Sequence, residues 1–305
     1  YQSAWLKTHY PAAFLAAVLT HDPGMYPKRL IVDEARQMGI TIAPIDVNAS
    51  DALYRVEDHG DAIRIALSTV SGISDGEVQS IIAGRPYIDL NDFVRRSGCS
   101  TPVTESLILT GGFDSLHSDV NRRDLLLHFS DLQKSPSAAV SGAQMNLGFE
   151  PPALISSGLP AMTASESVKH EIDRLGIDMS RHMIEFYGEF LNAIGAVRSS
   201  DLLKQRSQSS VLVAGIKVAM QTPPVRSGKR VIFLTLDDGY GCSDSTFFTD
   251  VQSEYANVLY STSLLLVRGV TRRTGARGIS IRATGAWDLR AAYESWSAKQ
   301  STLAI

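Results

Sequence analysis

Between Val211 and Ala283 the chain carries five short strand-forming runs, Val211–Val218, Arg230–Leu236, Thr246–Phe248, Leu264–Arg268 and Gly278–Ala283. One helix-period stretch, Val251–Leu259, lies between the third and the fourth. Runs this short leave unpaired backbone groups along their edges, and closing the sheet on itself removes those edges. Five strands with a helix between the third and fourth is the order of an OB-fold, a small Greek-key barrel that often binds single-stranded nucleic acid. Everything before it reads mainly as helix, so the expected class is α+β and multidomain. A length of 305 residues agrees, being about twice the ~150 residues of a usual domain.

Residues 1–67 predict helices followed by small strands. Trp5, Leu6, Phe14, Leu15, Val18 and Leu19 supply the apolar faces, and Pro27–Met38 gives a further helix stopped by Gly39. The period then changes, with strands expected at Ile40–Ala43, Leu53–Val56 and Ala62–Leu67. Residues 68–133 alternate short helices with glycine. Val70-Ser71-Gly72-Ile73 is an apolar-Gly-apolar bend before a Ser74/Glu77 capping box, and the helix from Thr101-Pro102 runs to Gly111-Gly112 and Phe113-Asp114. Two glycine-hinged pairs predict a tandem helix-hairpin-helix unit. Gly72, Ile73, Ser74, Gly111 and Gly112 would offer main-chain amides to a phosphate, without reading bases. A helical bundle whose glycines are only C-caps gives the same pattern.

Residues 134–162 are a linker by composition, and Gln144, Leu147 and Phe149 within it form a short segment suited either to a partner's pocket or to packing on its own domain. Residues 163–208 predict a helical pair. Thr163 and Glu166 make a second capping box, and Met183, Phe186, Tyr187, Phe190, Leu191 and Ile194 make one helical stripe. The barrel is expected over 209–290 and a tail over 291–305.

A net charge of -3 conceals an asymmetry, because Ser209–Arg290 holds ten Lys/Arg against six Asp/Glu on an otherwise acidic chain. Arg226 and Lys229 fall in the first barrel hairpin and Arg272, Arg273 and Arg277 in the last, where they mark a nucleic-acid surface or a solvated one. Phe233, Phe247 and Phe248 would be stacking faces or barrel filling. Asp237-Asp238 precedes Gly239-Tyr240-Gly241 and reads as a turn. The histidines lack metal-ligand spacing, no phosphate-binding or nucleophile motif occurs, and no catalytic or metal residue is assigned. No apolar run nears the ~18 residues of a membrane span. Two unpaired cysteines, Cys99 and Cys242, fit a reducing cytoplasm. An opening at Tyr1 reads as part of something longer.

Four colinear segments carry a resemblance to the C-terminal portion of the bacterial C-family DNA polymerases, the family of the polymerase III alpha subunit. They are Tyr1–Thr20, similar to the end of the fingers region, Val70–Leu116, similar to the tandem hairpins, Glu171–Leu191, and Val211–Leu236 with Arg268–Leu289, similar to the OB domain. His182-Met183 and the loop at 223–228 are most similar to the error-prone, actinobacterial type, the replicative alpha subunit being the alternative. The resemblance implies hairpins that hold primer-template duplex and a barrel that contacts template single strand or partner proteins, in a parent that extends primers past lesions during damage-induced synthesis. It further implies that Gln144, Leu147 and Phe149 form a sliding-clamp peptide, or that the clamp is reached through an accessory Y-family-like protein. Palm carboxylates holding Mg²⁺ would lie elsewhere in the parent, so this chain is expected to need no cofactor and to be inactive alone. A purely structural adaptor that binds proteins is the reading from another class.

Overall fold

The computed structural model describes residues 1–22, 24, 26–134, 153–223, 230–276 and 278–303. Contacts divide the chain into two compact units, Tyr1–Arg181 and His182–Ile305. Among the described residues no helix is long and apolar enough to cross a membrane.

The first unit opens with helices α1 (Gln2–His9), α2 (Pro11–His21) and α3 (Lys28–Gln37). Pro11 suits the first turn of α2, where its missing amide hydrogen costs nothing, and Ala12, Leu15, Ala16 and Leu19 bury one face at helical spacing. Strands β1 (Thr41–Ala43), β2 (Arg55–Glu57) and β3 (Ala62–Arg64) form a sheet in the order β1-β3-β2. Central β3 sets Ile63 opposite Ile42 on one side and Val56 on the other. These are the three strands that the sequence predicts, the first and third shortened and the second shifted to end at Glu57 and not at Val56; Leu67 already belongs to a 3-10 turn, Leu67–Thr69.

Helices α4 (Asp75–Ala83), α5 (Leu90–Ser97), α6 (Thr101–Leu109), α7 (Arg122–Lys134) and α8 (Ala164–Leu175) follow. Both capping boxes form, Ser74 with Glu77 and Thr163 with Glu166. Helices and sheet share one core, through which Tyr87, Phe93 and Phe113 run as a file of edge-to-face rings with centroids 4.9 Å apart. Asn48 ties the two regions as a backbone pair would. Its side chain donates to the Tyr87 carbonyl at 2.8 Å and accepts from the Tyr87 amide at 2.8 Å. Arg85 adds a bond to the Val47 carbonyl. Where α5 begins, Arg96 clamps Asp92 and also donates to the Gly84 and Pro86 carbonyls, and its guanidinium holds the Asp92 carboxyl down at about 2.

In the second unit a 3-10 turn, Met183–Tyr187, leads into α9 (Gly188–Ala193), with α10 (Ser199–Leu202) beyond. The single helix expected from Met183 to Ile194 is therefore broken. Three residues per turn set Ile184 in line with Tyr187, and Ile184 is the residue that is buried. The barrel then closes from β4 (Ser210–Gln221), β5 (Ile232–Asp237), β6 (Cys242–Phe247), β7 (Leu264–Arg273) and β8 (Ile279–Asp288) in the order β4-β5-β6-β8-β7. Helix α11 (Thr249–Ser261) lies between β6 and β7, as the OB pattern requires. Four of the junctions are antiparallel. The fifth, β6 with β8, is a parallel seam of only two pairs, Ser245 with Ile281 and Thr246 with Arg282.

Val213, Leu234, Leu236, Phe247, Leu265, Val267 and Ile281 fill the interior. The residues expected as a tail instead form α12 (Leu289–Leu303), whose Leu289, Tyr293 and Trp296 pack with Phe190 and Tyr187 over Ala214, Ile216, Leu264 and Leu266. Phe93 is fully buried at the centre of the ring file. Phe93→Ala should destabilise the first unit by about 3–5 kcal/mol, read as a lowered urea midpoint; an unchanged midpoint would contradict this packing.

Candidate nucleic-acid interface

The two glycine bends of the first unit differ in what their amides do. At the first, Gly72 has φ +81 and open space where a side chain would begin. The Ser71 amide is spent on the Arg174 carbonyl and the Ile73 amide on the Val70 carbonyl. The amides of Gly72, Asp75 and Gly76 make no hydrogen bond among the described residues, so three donors on exposed residues are left over around the start of α4. No Lys or Arg adjoins them in sequence, and Asp75 and Glu77 occupy the first turn.

At the second bend the Gly112 amide bonds to the Leu107 carbonyl and the Gly111 amide to the Ile108 carbonyl, a Schellman cap on α6. Gly111 has φ +89, and the space beside it is filled by the Arg122–Asp114 ion pair. Of the five residues whose amides the sequence offers to a phosphate, Ile73, Ser74, Gly111 and Gly112 thus have theirs committed inside the fold and Gly72 does not; at Gly111 and Gly112 this is the C-cap arrangement the same pattern allows.

Glu77 does more than the capping box asks of it. One carboxylate oxygen accepts from the Ser74 amide at 2.9 Å and the Ser74 hydroxyl at 2.8 Å. The other accepts from the Ser100 amide at 2.9 Å and the Ser100 hydroxyl at 2.7 Å, so one side chain joins the starts of α4 and α6. The Ser100 amide, then the Ser74 amide and the Ser100 hydroxyl, hold this carboxyl at about 2 against an ordinary 4.5.

In the second unit a groove of about 1280 Å³ runs over strands β5, β6, β7 and β8. Phe233 and Phe248 line it and remain 46% and 39% exposed, whereas Phe247 is fully buried and fills the barrel. Arg282 lies over the Phe248 ring, 5.3 Å from its centroid, and 3.9 Å from the Asp250 carboxylate. Arg272 lines the groove with no ion pair among the described residues. Its neighbour Arg273 donates to the Leu203 carbonyl, as strand alternation dictates for adjacent side chains. Asp244 accepts from the Thr235 hydroxyl at 2.7 Å, and Ser245, buried, has a hydroxyl without a partner among the described residues. Arg226, Lys229 and Arg277 lie outside the described residues, as do Gln144, Leu147 and Phe149.

Asp238 lies in the turn, as expected, whereas Asp237 is the last residue of β5 and pairs with Cys242. Asp238 accepts from the Ser199 amide at 2.7 Å, the Ser199 hydroxyl at 2.6 Å and the Tyr240 amide at 3.0 Å, while Asp237 accepts from the Gly239 amide at 3.0 Å. Sequence reasoning missed Arg282 as a groove residue and Glu77 as a bridge to Ser100. Each joins positions far apart in the chain, and neither contact leaves a local pattern.

Residues 39–125 match a family described as the helix-hairpin-helix motif. The chain is 30% identical to the error-prone DNA polymerase of Symbiobacterium thermophilum, over 92% of its own length and 30% of that protein. It is 31% identical to the error-prone DNA polymerase of Nocardia farcinica, over 88% of itself and 24% of that protein. With the DNA polymerase III subunit alpha of Vibrio cholerae the identity is 28%, over 97% and 27%. The chain thus spans less than a third of the length of the relatives it matches.

Because the Glu77 carboxyl is held below its ordinary value, its bonds add stability fully above about pH 4.5 and lose it as pH falls through about 2. A carboxyl-detected NMR titration of the intact chain should place the Glu77 midpoint near 2; a midpoint near 4.5 would mean that the bridge is not formed.

Proposed function

We propose that this chain, which belongs to the family of bacterial DNA polymerase III alpha subunits and error-prone DNA polymerases, is the part of such an enzyme that holds nucleic acid while another part makes the bond. The barrel groove carries this reading. Two half-exposed phenylalanines beside Arg272 and Arg282 offer stacking faces and cations together, the combination that takes a single strand without regard to its sequence. The Gly72 bend supports the second half of the reading, a grip on duplex backbone through amides and not through bases.

The parent extends primers past lesions in damage-induced synthesis, a role supported by the error-prone polymerases among the relatives. The relatives include replicative alpha subunits too, and the chain serves the same holding role in either setting. Gln144, Leu147 and Phe149 dock on the sliding clamp, directly or beside an accessory Y-family-like protein. The parent's Mg²⁺-binding carboxylates lie outside this chain, which has no primer-extension activity alone.

If DNA is the partner, log affinity for a primer-template should fall linearly with log salt, by about 0.9 for each duplex phosphate neutralised. A protein-binding adaptor would show no DNA binding even at low salt. Replacing Phe233 and Phe248 by alanine should weaken binding of an oligo-dT strand by roughly tenfold per ring lost, measured by fluorescence anisotropy, since stacking is worth about 1–3 kcal/mol per base. Unchanged affinity would remove the groove from the site. Leu147→Ala with Phe149→Ala should abolish clamp pull-down, and retained pull-down would refute the clamp assignment.

A further inference from the structure

We infer that Glu77 is a positioning residue for nucleic-acid binding, a clasp that sets the starts of α4 and α6 side by side so that the first hairpin presents its free amides from a fixed frame. This rests on the reading that the first hairpin grips backbone.

The geometry is specific to this side chain. An ordinary capping box uses one carboxylate to close one helix. Here the two oxygens are divided, one for the amide and hydroxyl of Ser74 and one for those of Ser100. Ser100 is the N-cap of α6 and makes no side-chain bond to its own helix, because its hydroxyl is turned to Glu77. A second contact runs alongside, from the Ser80 hydroxyl to the Ser97 carbonyl, so α4 is fastened at two points to the segment that leads into α6. The donors left over, the amides of Gly72, Asp75 and Gly76, sit at the clasped end of α4. Without the clasp, the first turn of α4 and the bend before it keep only local restraints, and ordering them would fall to the ligand.

A negative charge near the bend also opposes a phosphate. Four hydrogen bonds to the Glu77 carboxylate offset part of that charge at its source, and Glu77→Gln, which removes the charge and keeps one arm, separates the loss of order from the relief of repulsion.

Duplex binding of the whole chain, wild type against Glu77→Ala, Glu77→Gln and Ser100→Ala, tests this by anisotropy across a salt series, with circular dichroism melts as the folding control. Glu77→Ala should bind about fivefold more weakly and lose roughly one phosphate from the salt slope, about 0.9. Glu77→Gln, whose carbonyl can keep one arm, should fall between. Ser100→Ala removes a single hydroxyl and keeps the capping box, so it tests the α6 arm even if Glu77→Ala fails to fold, and about a twofold loss is expected. Tighter binding by both Glu77 variants would show that the residue only repels and would overturn the proposal. A lowered melting temperature with unchanged affinity and slope would overturn it as well. A wild-type chain that binds no duplex would refute the holding function itself, whereas wild-type binding with unaffected variants would refute the clasp alone.

Discussion

The barrel of the second unit depends on its narrowest junction, the parallel seam where Ser245 meets Ile281 and Thr246 meets Arg282. Every other junction follows from antiparallel strands, whereas this one must bring the third and fifth strands together across the helix and the long hairpin between them. Once it closes, the sheet has no free edge and Phe247, Leu234 and Ile281 share one interior. The same closure carries Arg282 to Phe248 and Asp250, which stand on the far side of the seam. The proposed groove is therefore a product of closure, and its chemistry sits where the barrel is joined by fewest bonds.

Polar side chains do comparable work in the first unit. Asn48 stands in for a strand partner of Tyr87, Arg96 gathers Asp92 with two carbonyls, and Glu77 gathers two helix starts. Each satisfies backbone groups that short helices leave unpaired, and each fixes a loop that apolar packing alone would leave adjustable. The sheet and the hairpin helices form one core for this reason, consistent with a motif match that begins at residue 39, ahead of the strands.

Much of this architecture was legible from periodicity. Alternation located all five barrel strands, and capping boxes marked the starts of α4 and α8. The errors have local causes. The strand expected over Gly278–Ala283 continues to Asp288, and β6 starts earlier than the expected Thr246 because its serines alternate inward without apolar signal. The spacing of Leu289, Tyr293 and Trp296 was a visible helical stripe that the word tail concealed. At the site, the pairs Arg272/Arg273 and Phe247/Phe248 could have been divided by the two-residue period of a strand and its exit, since neighbours there point apart. Nothing local could have joined Phe248 to Arg282 or Glu77 to Ser100, because those contacts exist only after the chain has folded.

Two bends that look alike in sequence end in different trades. The Schellman cap at Gly111 and Gly112, sealed by Arg122 and Asp114, turns the second loop into a brace, while the first spends the Ser71, Ile73 and Ser74 amides inside the fold and leaves that of Gly72 without a partner among the described residues. On the proposed reading, the two bends divide into a brace and a contact. Under that reading, damage at Gly72 would surface in a binding assay and damage at Gly111 in a melting curve.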